Sequence, residues 1–211
     1  VQTCALPIYH INISDKYKTF VWSPERTGSN HLTSVIRKLG FKTHFFEEDK
    51  LVKVDGLQLS SHCNFFENHW DYSFILSTRN PYSSCASLAG TGHMHFTSEN
   101  REIVRERMER EFQFPIIPGN CCNCFHIRTP DYFVRTESLY EDYLTIPFIK
   151  NHEINLSGEL ERLCKEKVNS SPAVFENYWK KFYDQDMADL VYYNNVNSFE
   201  LFGYKKDSWK E

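Results

Sequence analysis

Residues 19–39 read TFVWSPERTGSNHLTSVIRKL, and this stretch restricts the possible folds more than any other in the chain. Residues 19–22 are β-branched and aromatic, which predicts a short strand. Leu32, Val35, Ile36 and Leu39 recur at the spacing of one helix face, and a Pro/Gly/Ser segment separates the two patterns. The order is therefore strand, loop, helix. With Gly28 and Ser29 where the helix begins, the N–H groups of its first turn have no partner inside the helix and point into the loop. An anion fits there, and Arg26 adds a fixed positive charge beside it. A polar turn that only caps a helix would carry the same residues. The pattern G-x-x-x-x-G-K-[ST] is absent, which removes the main support for an ordinary ATP- or GTP-hydrolysing domain.

The chain has 211 residues, enough for one domain with a real core, and its 41% hydrophobic and 16% aromatic content excludes a disordered or fibrous protein. No apolar run approaches the ~18 residues needed to cross a bilayer. A net charge of -4 argues against a protein that coats nucleic acid or an anionic membrane. Residues 1–8, VQTCALPI, read like translated adapter sequence and are set aside. Residues 9–211 are then expected to form a single domain whose natural N-terminus is missing.

Further along, residues 41–46 (FKTHFF) predict a second strand. Residues 51–54 and 57–61 predict short strands or loop, and residues 65–70 a helical turn. Residues 72–78 (YSFILST) give the clearest buried strand, which ends at Arg79, Asn80 and Pro81. Proline stops a strand and suits the first turn of a helix, and Ser83, Ser84, Ser87 and Leu88 follow at helical spacing. Residues 99–112 predict a charged amphipathic helix with a solvated face. Residues 114–128 predict a loop, residues 132–135 a strand, and residues 136–139 the entry to a helix. Helices are expected at 156–168, 173–182 and 184–195. Short strands alternating with helices make an α/β protein with a mainly parallel sheet, whose ligands sit at the carboxyl ends of the strands.

Cys63, Cys85, Cys121, Cys122, Cys124 and Cys164 are scattered apart from the CCNC cluster, which lacks the paired C-x-x-C spacing of a structural zinc site. Reduced thiols are the simpler reading. His93 and His95 form an H-x-H pair that reads as loop decoration. No metal is expected.

Four segments together resemble the sulfotransferases that use 3′-phosphoadenosine 5′-phosphosulfate, and most closely the carbohydrate sulfotransferase branch. Arg26, Thr27, Gly28 and Ser29 match the family's 5′-phosphosulfate loop. STRNPYSSCAS reproduces the spacing of its 3′-phosphate site, in which an Arg at a strand end is followed eight positions later by a Ser, here Arg79 and Ser87. VRTESL is similar to the VRYEDL segment, and DLVYYNNVNSFELFGY to the closing helix and turn. The resemblance implies a three-layer sandwich with a P-loop NTPase-like sulfotransferase fold. It implies donor binding by Arg26, Thr27, Gly28, Ser29, Asn30, Arg79 and Ser87. The guanidinium chemistry is suitable without the family, since a planar fork matches phosphate oxygens. An Arg paired to a carboxylate beside small helix-packing Ser residues is the alternative.

Sulfuryl transfer needs a held leaving group, positive charge near the bridging oxygen, and a base for the acceptor hydroxyl. Arg26 and the N–H groups around residues 27–30 answer the first two needs. The resemblance of SSHCNF to the family's KTHLP implies His62 as the base, and an imidazole titrating near neutrality suits that task. A histidine at a strand end is also a common structural residue. The heparan-type enzymes place a Glu where this chain has Lys42, which leaves His44, Glu47 and Glu48 as second choices behind His62. Lys205 and Lys206 would screen nucleotide phosphates. The expected acceptor is a hydroxyl of a carbohydrate. A P-loop-like small-molecule kinase and a non-catalytic nucleotide-binding module remain the other readings. The kinase lacks a Walker lysine and an evident Mg²⁺-binding carboxylate.

Overall fold

A computed structural model of the chain describes residues 9–23, 29–46, 52–54, 57–59, 69–89, 106, 129–166 and 183–210. The expected structures at residues 65–68, 99–105, 107–128 and 173–182, together with the CCNC cluster, His93 and His95, lie outside them; Glu106 is helical. The chain divides into two compact units, Val1–Thr78 with Cys121–Val168, and Arg79–Asn120 with Asn169–Glu211.

The first unit is built on a five-stranded sheet. Its strands are β1 (Tyr9–Ser14), β2 (Thr19–Ser23), β3 (Lys42–Phe46), β6 (Ser73–Thr78) and β7 (Tyr132–Arg135), in the order β3-β1-β2-β6-β7. β2 pairs parallel with β6, and β6 parallel with β7, whereas β1 runs antiparallel to both β2 and β3. Four of the five strands thus point the same way, and the protein is α/β with a mostly parallel sheet. A separate hairpin joins β4 (Val52–Val54) to β5 (Leu57–Leu59).

Register sorts the side chains into two faces, because neighbours across a ladder share a face and residues alternate along a strand. Asn12 pairs with Val21, Val21 with Ile75, and Ile75 with Tyr132, and on that face Val21, Ile75 and Val134 join one buried cluster. α1 (Ser29–Lys38) brings Leu32, Val35 and Ile36 into the same cluster, and Leu39 follows from the turn after it, so the four expected positions are all buried. Each such aliphatic side chain contributes about 2 kcal/mol on transfer from water. The opposite face is buried as well. Phe20 and Phe74 stack there with ring centroids 4.8 Å apart, beside Ile11, Trp22 and Leu76.

Two interactions fix α1 over its face. Asn12 Nδ2 donates to Thr33 Oγ1 at 3.3 Å, and a ring nitrogen of His31 lies 2.7 Å from the Leu163 carbonyl. The helix ends where Gly40 takes φ 84°, with the Gly40 N–H bonded to the Arg37 carbonyl and the Phe41 N–H to the Ile36 carbonyl. That pair of bonds satisfies carbonyls which the last turn would leave open.

After β7 a 3₁₀ turn (Thr136–Ser138) leads to α3 (Leu139–Tyr143), α4 (Pro147–Lys150), α5 (Glu153–Leu156) and α6 (Glu159–Lys165). The helix expected over 156–168 is corrected here into two pieces. Gly158 takes φ 77°, a left-handed conformation that no continuous helix contains, and it separates α5 from α6.

Tyr143 is completely buried in this cluster and its hydroxyl has no hydrogen-bond partner among the described residues. Burial pushes its pKa well above the ordinary phenol value. A buried unsatisfied hydroxyl costs about 1–3 kcal/mol. Tyr143→Phe is therefore expected to raise the stability of this unit by about 1 kcal/mol in urea unfolding. A loss of stability would show that the hydroxyl is satisfied in solution.

The second unit contains α2 (Pro81–Ala89), α7 (Gln185–Asn194) and α8 (Val196–Phe202). α7 starts as expected, with the Asp184 carboxylate accepting the Met187 N–H at 3.0 Å. Tyr82, Cys85 and Ala86 from α2 pack with Met187, Ala188 and Val191 from α7 and with Phe199 from α8. Gly203, at φ 73°, ends α8.

Candidate functional site

In a parallel sheet the strand ends that matter are the carboxyl ends. Trp22 is level with Leu76, and Thr78 with Arg135, so β2, β6 and β7 deliver the chain to the same edge from adjacent positions. Segment 24–28 leaves from β2, and Arg79 follows β6 directly. Arg26, Thr27 and Gly28 lie outside the described residues, as does His62; Ser29 and Asn30 are the first two residues of α1.

The helices that follow β2 and β6 open without a carboxylate, whereas the 3₁₀ turn and the helix after β7 carry Glu137, Glu141 and Asp142 in their first turns. Neither α1 nor α2 has an acidic residue in its first turn. An Asp or Glu there would neutralise the partial positive charge of the helix end and compete with an anion. α1 carries Arg37 and Lys38 in its last turn, which complements the dipole at its other end. Ser23, the last residue of β2, is fully buried, and its hydroxyl has no partner among the described residues.

In the second unit Arg79 is half-buried at the entrance to α2, and Ser87 lies within that helix two turns on. Ser83 and Ser84 are buried in packing, as the small-residue reading of this helix expects. Asn80 makes the helix start. Its side-chain carbonyl accepts the Tyr82 N–H at 3.0 Å and its backbone carbonyl accepts the Ser84 N–H at 2.9 Å. Lys206, considered from the sequence as a screen for phosphates, is engaged elsewhere. It lies 3.0 Å from an Asp189 oxygen and over the rings of Tyr192 and Tyr193.

At the carboxyl end of β7 the Arg135 guanidinium forks onto Asp142, with Nη2 at 2.6 Å from Oδ1 and Nε at 2.9 Å from Oδ2. The Arg135 N–H and the Ser138 hydroxyl donate to the same carboxylate. Burial alone would raise the Asp142 pKa, but these donors outweigh it and hold the carboxyl below its ordinary value. Thr136 Oγ1 donates to the Thr78 carbonyl at 3.1 Å, which ties the segment after β7 to the end of β6. Sequence reasoning missed Asp142. The only signal for it was an Arg and an Asp seven positions apart across a short turn.

Among the described residues no group of three His, Cys, Asp or Glu side chains is placed to hold a metal ion, and no helix is long and apolar enough to cross a membrane. The described residues define an α/β protein with a mostly parallel sheet. Comparison with family models, curated proteins and solved structures finds no match to this chain.

Proposed function

We propose that this chain is a sulfotransferase that moves the sulfuryl group of 3′-phosphoadenosine 5′-phosphosulfate to a hydroxyl of a carbohydrate acceptor. The observation that carries the reading is the shared carboxyl edge of β2 and β6. The two adjacent strands lead into helices whose first turns hold no carboxylate, with Arg26 in the first connection and Arg79 in the second. Along the chain each connection thus pairs a cation with an acid-free helix start, a chemistry suited to an anionic group. Burial on both faces of the sheet supports the finer reading of a three-layer, P-loop NTPase-like sulfotransferase fold.

In this reading Arg26, with the backbone around Thr27, Gly28, Ser29 and Asn30, holds the 5′-phosphosulfate, and Arg79 with Ser87 holds the 3′-phosphate. The acceptor oxygen attacks sulfur in line. Its proton passes to the His62 imidazole, the new oxygen–sulfur bond forms, and the bond from sulfur to the bridging phosphate oxygen breaks. The negative charge that develops on the leaving phosphate is met by Arg26. No metal is required for these steps.

Calorimetric binding of 3′-phosphoadenosine 5′-phosphate, against ATP with Mg²⁺, tests this. Metal-independent preference for the bisphosphate is expected, with affinity reduced about 10- to 100-fold in Arg79→Ala, the effect of losing one charge-assisted contact. Preference for ATP with Mg²⁺, or indifference to Arg79, would transfer the site to kinase chemistry.

A further inference from the structure

The residue after Arg79 is joined to the far end of the chain. Asn80 Nδ2 donates to Ser208 Oγ at 2.9 Å, while the other end of the same amide caps α2 through the Tyr82 N–H. Two positions on, the Tyr82 hydroxyl donates to the Lys206 carbonyl at 2.6 Å. The Tyr183 hydroxyl closes the group by donating to the Tyr82 carbonyl at 2.8 Å. The segment that receives these bonds is itself folded, since the Ser208 N–H bonds to the Lys205 carbonyl and the Lys210 N–H to the Asp207 carbonyl. Asn80 is 9% exposed and Tyr82 is fully buried, whereas Ser208 is half-buried and Lys206 exposed, so the two bonds to residues 206 and 208 are half-buried.

Both ends of the Asn80 amide are thus held, one by its own helix and one by a residue 128 positions away. A guanidinium on a flexible stem binds a phosphate well only if the backbone that carries it is already fixed. The geometry points to residues 205–209 as a clasp that sets Arg79, with Ser208, acting through Asn80, as a positioning residue for recognition of the 3′-phosphate. The inference rests on the sulfotransferase reading above. It adds to that reading a part of the 3′-phosphate apparatus that touches no ligand and lies at the opposite end of the sequence.

The test is the ratio of affinities for 3′-phosphoadenosine 5′-phosphate and adenosine 5′-phosphate, measured by calorimetry without metal. In Ser208→Ala the ratio is expected to fall about 5-fold, with adenosine 5′-phosphate binding unchanged, because only the 3′-phosphate depends on Arg79. Ser208→Thr should restore it, and Ser208→Ala should add nothing in an Arg79→Ala background. Tyr82→Phe, which keeps the volume and removes only the bond to Lys206, gives a second route and should lower the ratio in the same direction. A ratio that collapses in Arg79→Ala but survives both Ser208→Ala and Tyr82→Phe would overturn the clasp while leaving the sulfotransferase reading intact. A wild-type protein with no preference for the bisphosphate would overturn both.

Discussion

His62→Ala is expected to lower the rate of sulfuryl transfer by about 10²- to 10⁴-fold, the range covered by a positioned general base. Binding of 3′-phosphoadenosine 5′-phosphate should not change, because the imidazole acts on the acceptor proton rather than on the nucleotide. The pH profile separates this role from a structural one. A base works in its deprotonated form, so wild-type turnover should fall as pH drops through the imidazole titration. In the alanine variant that acidic limb should vanish and leave a low, flat rate. Turnover that survives the substitution, with the acidic limb unchanged, would move the assignment to His44, Glu47 or Glu48. Turnover absent in both proteins, with bisphosphate binding retained, would favour a module that binds the nucleotide without using it.

Asp142→Ala carries the other large effect, and it is a loss of stability. The carboxylate accepts two bonds from the Arg135 guanidinium, one from the Arg135 N–H and one from the Ser138 hydroxyl, and only 9% of its side chain is exposed. Removing one partner of such a pair leaves the others unsatisfied, at a cost of about 3 kcal/mol, near the lower limit because Arg135 keeps contact with solvent. The urea midpoint of the first unit should fall by about 1 M or more, and the Arg135 amide should exchange faster with solvent. pH should act in the same sense. The folded-state pKa lies below the ordinary Asp value of 3.8, so the contribution is complete above that value and is lost as pH falls through the folded pKa. The wild type should therefore lose stability in acid more steeply than Asp142→Asn. Equal acid profiles would assign the stabilisation to neighbouring carboxylates.

The parts of the fold that could be read from the sequence were those with a strong local period. Leu32, Val35, Ile36 and Leu39 lie on one side of a helix and enter the core, and the apolar run at 74–76 forms a central strand. β1 was missed although Ile11 and Ile13 alternate. Asn12 between them is also buried, through its bond to Thr33, and a polar residue in that position hides a strand covered on both faces. The break at Gly158 was missed because a single Gly inside a helical pattern is usually tolerated. The place of Arg79 directly after β6 was legible because Pro81 ends the strand beside it. Asp142 and Ser208 were not, since their partners are set by a turn and by the path of the chain rather than by any spacing.

The place of β1 has a consequence for the order in which the sheet can assemble. β1 and β2 are joined by the four residues from Asp15 to Lys18 and can pair within microseconds as a local hairpin. β2 cannot add β6 until the residues from 24 to 72 have been gathered into a loop. The entropy of that closure rises only with the logarithm of loop length. Lengthening the segments between β2 and β6 should therefore slow folding slightly, whereas weakening the hairpin removes the template on which the parallel strands are laid down. The fast antiparallel corner is thus formed first, and the slow step is the long-range parallel pairing of β2 with β6.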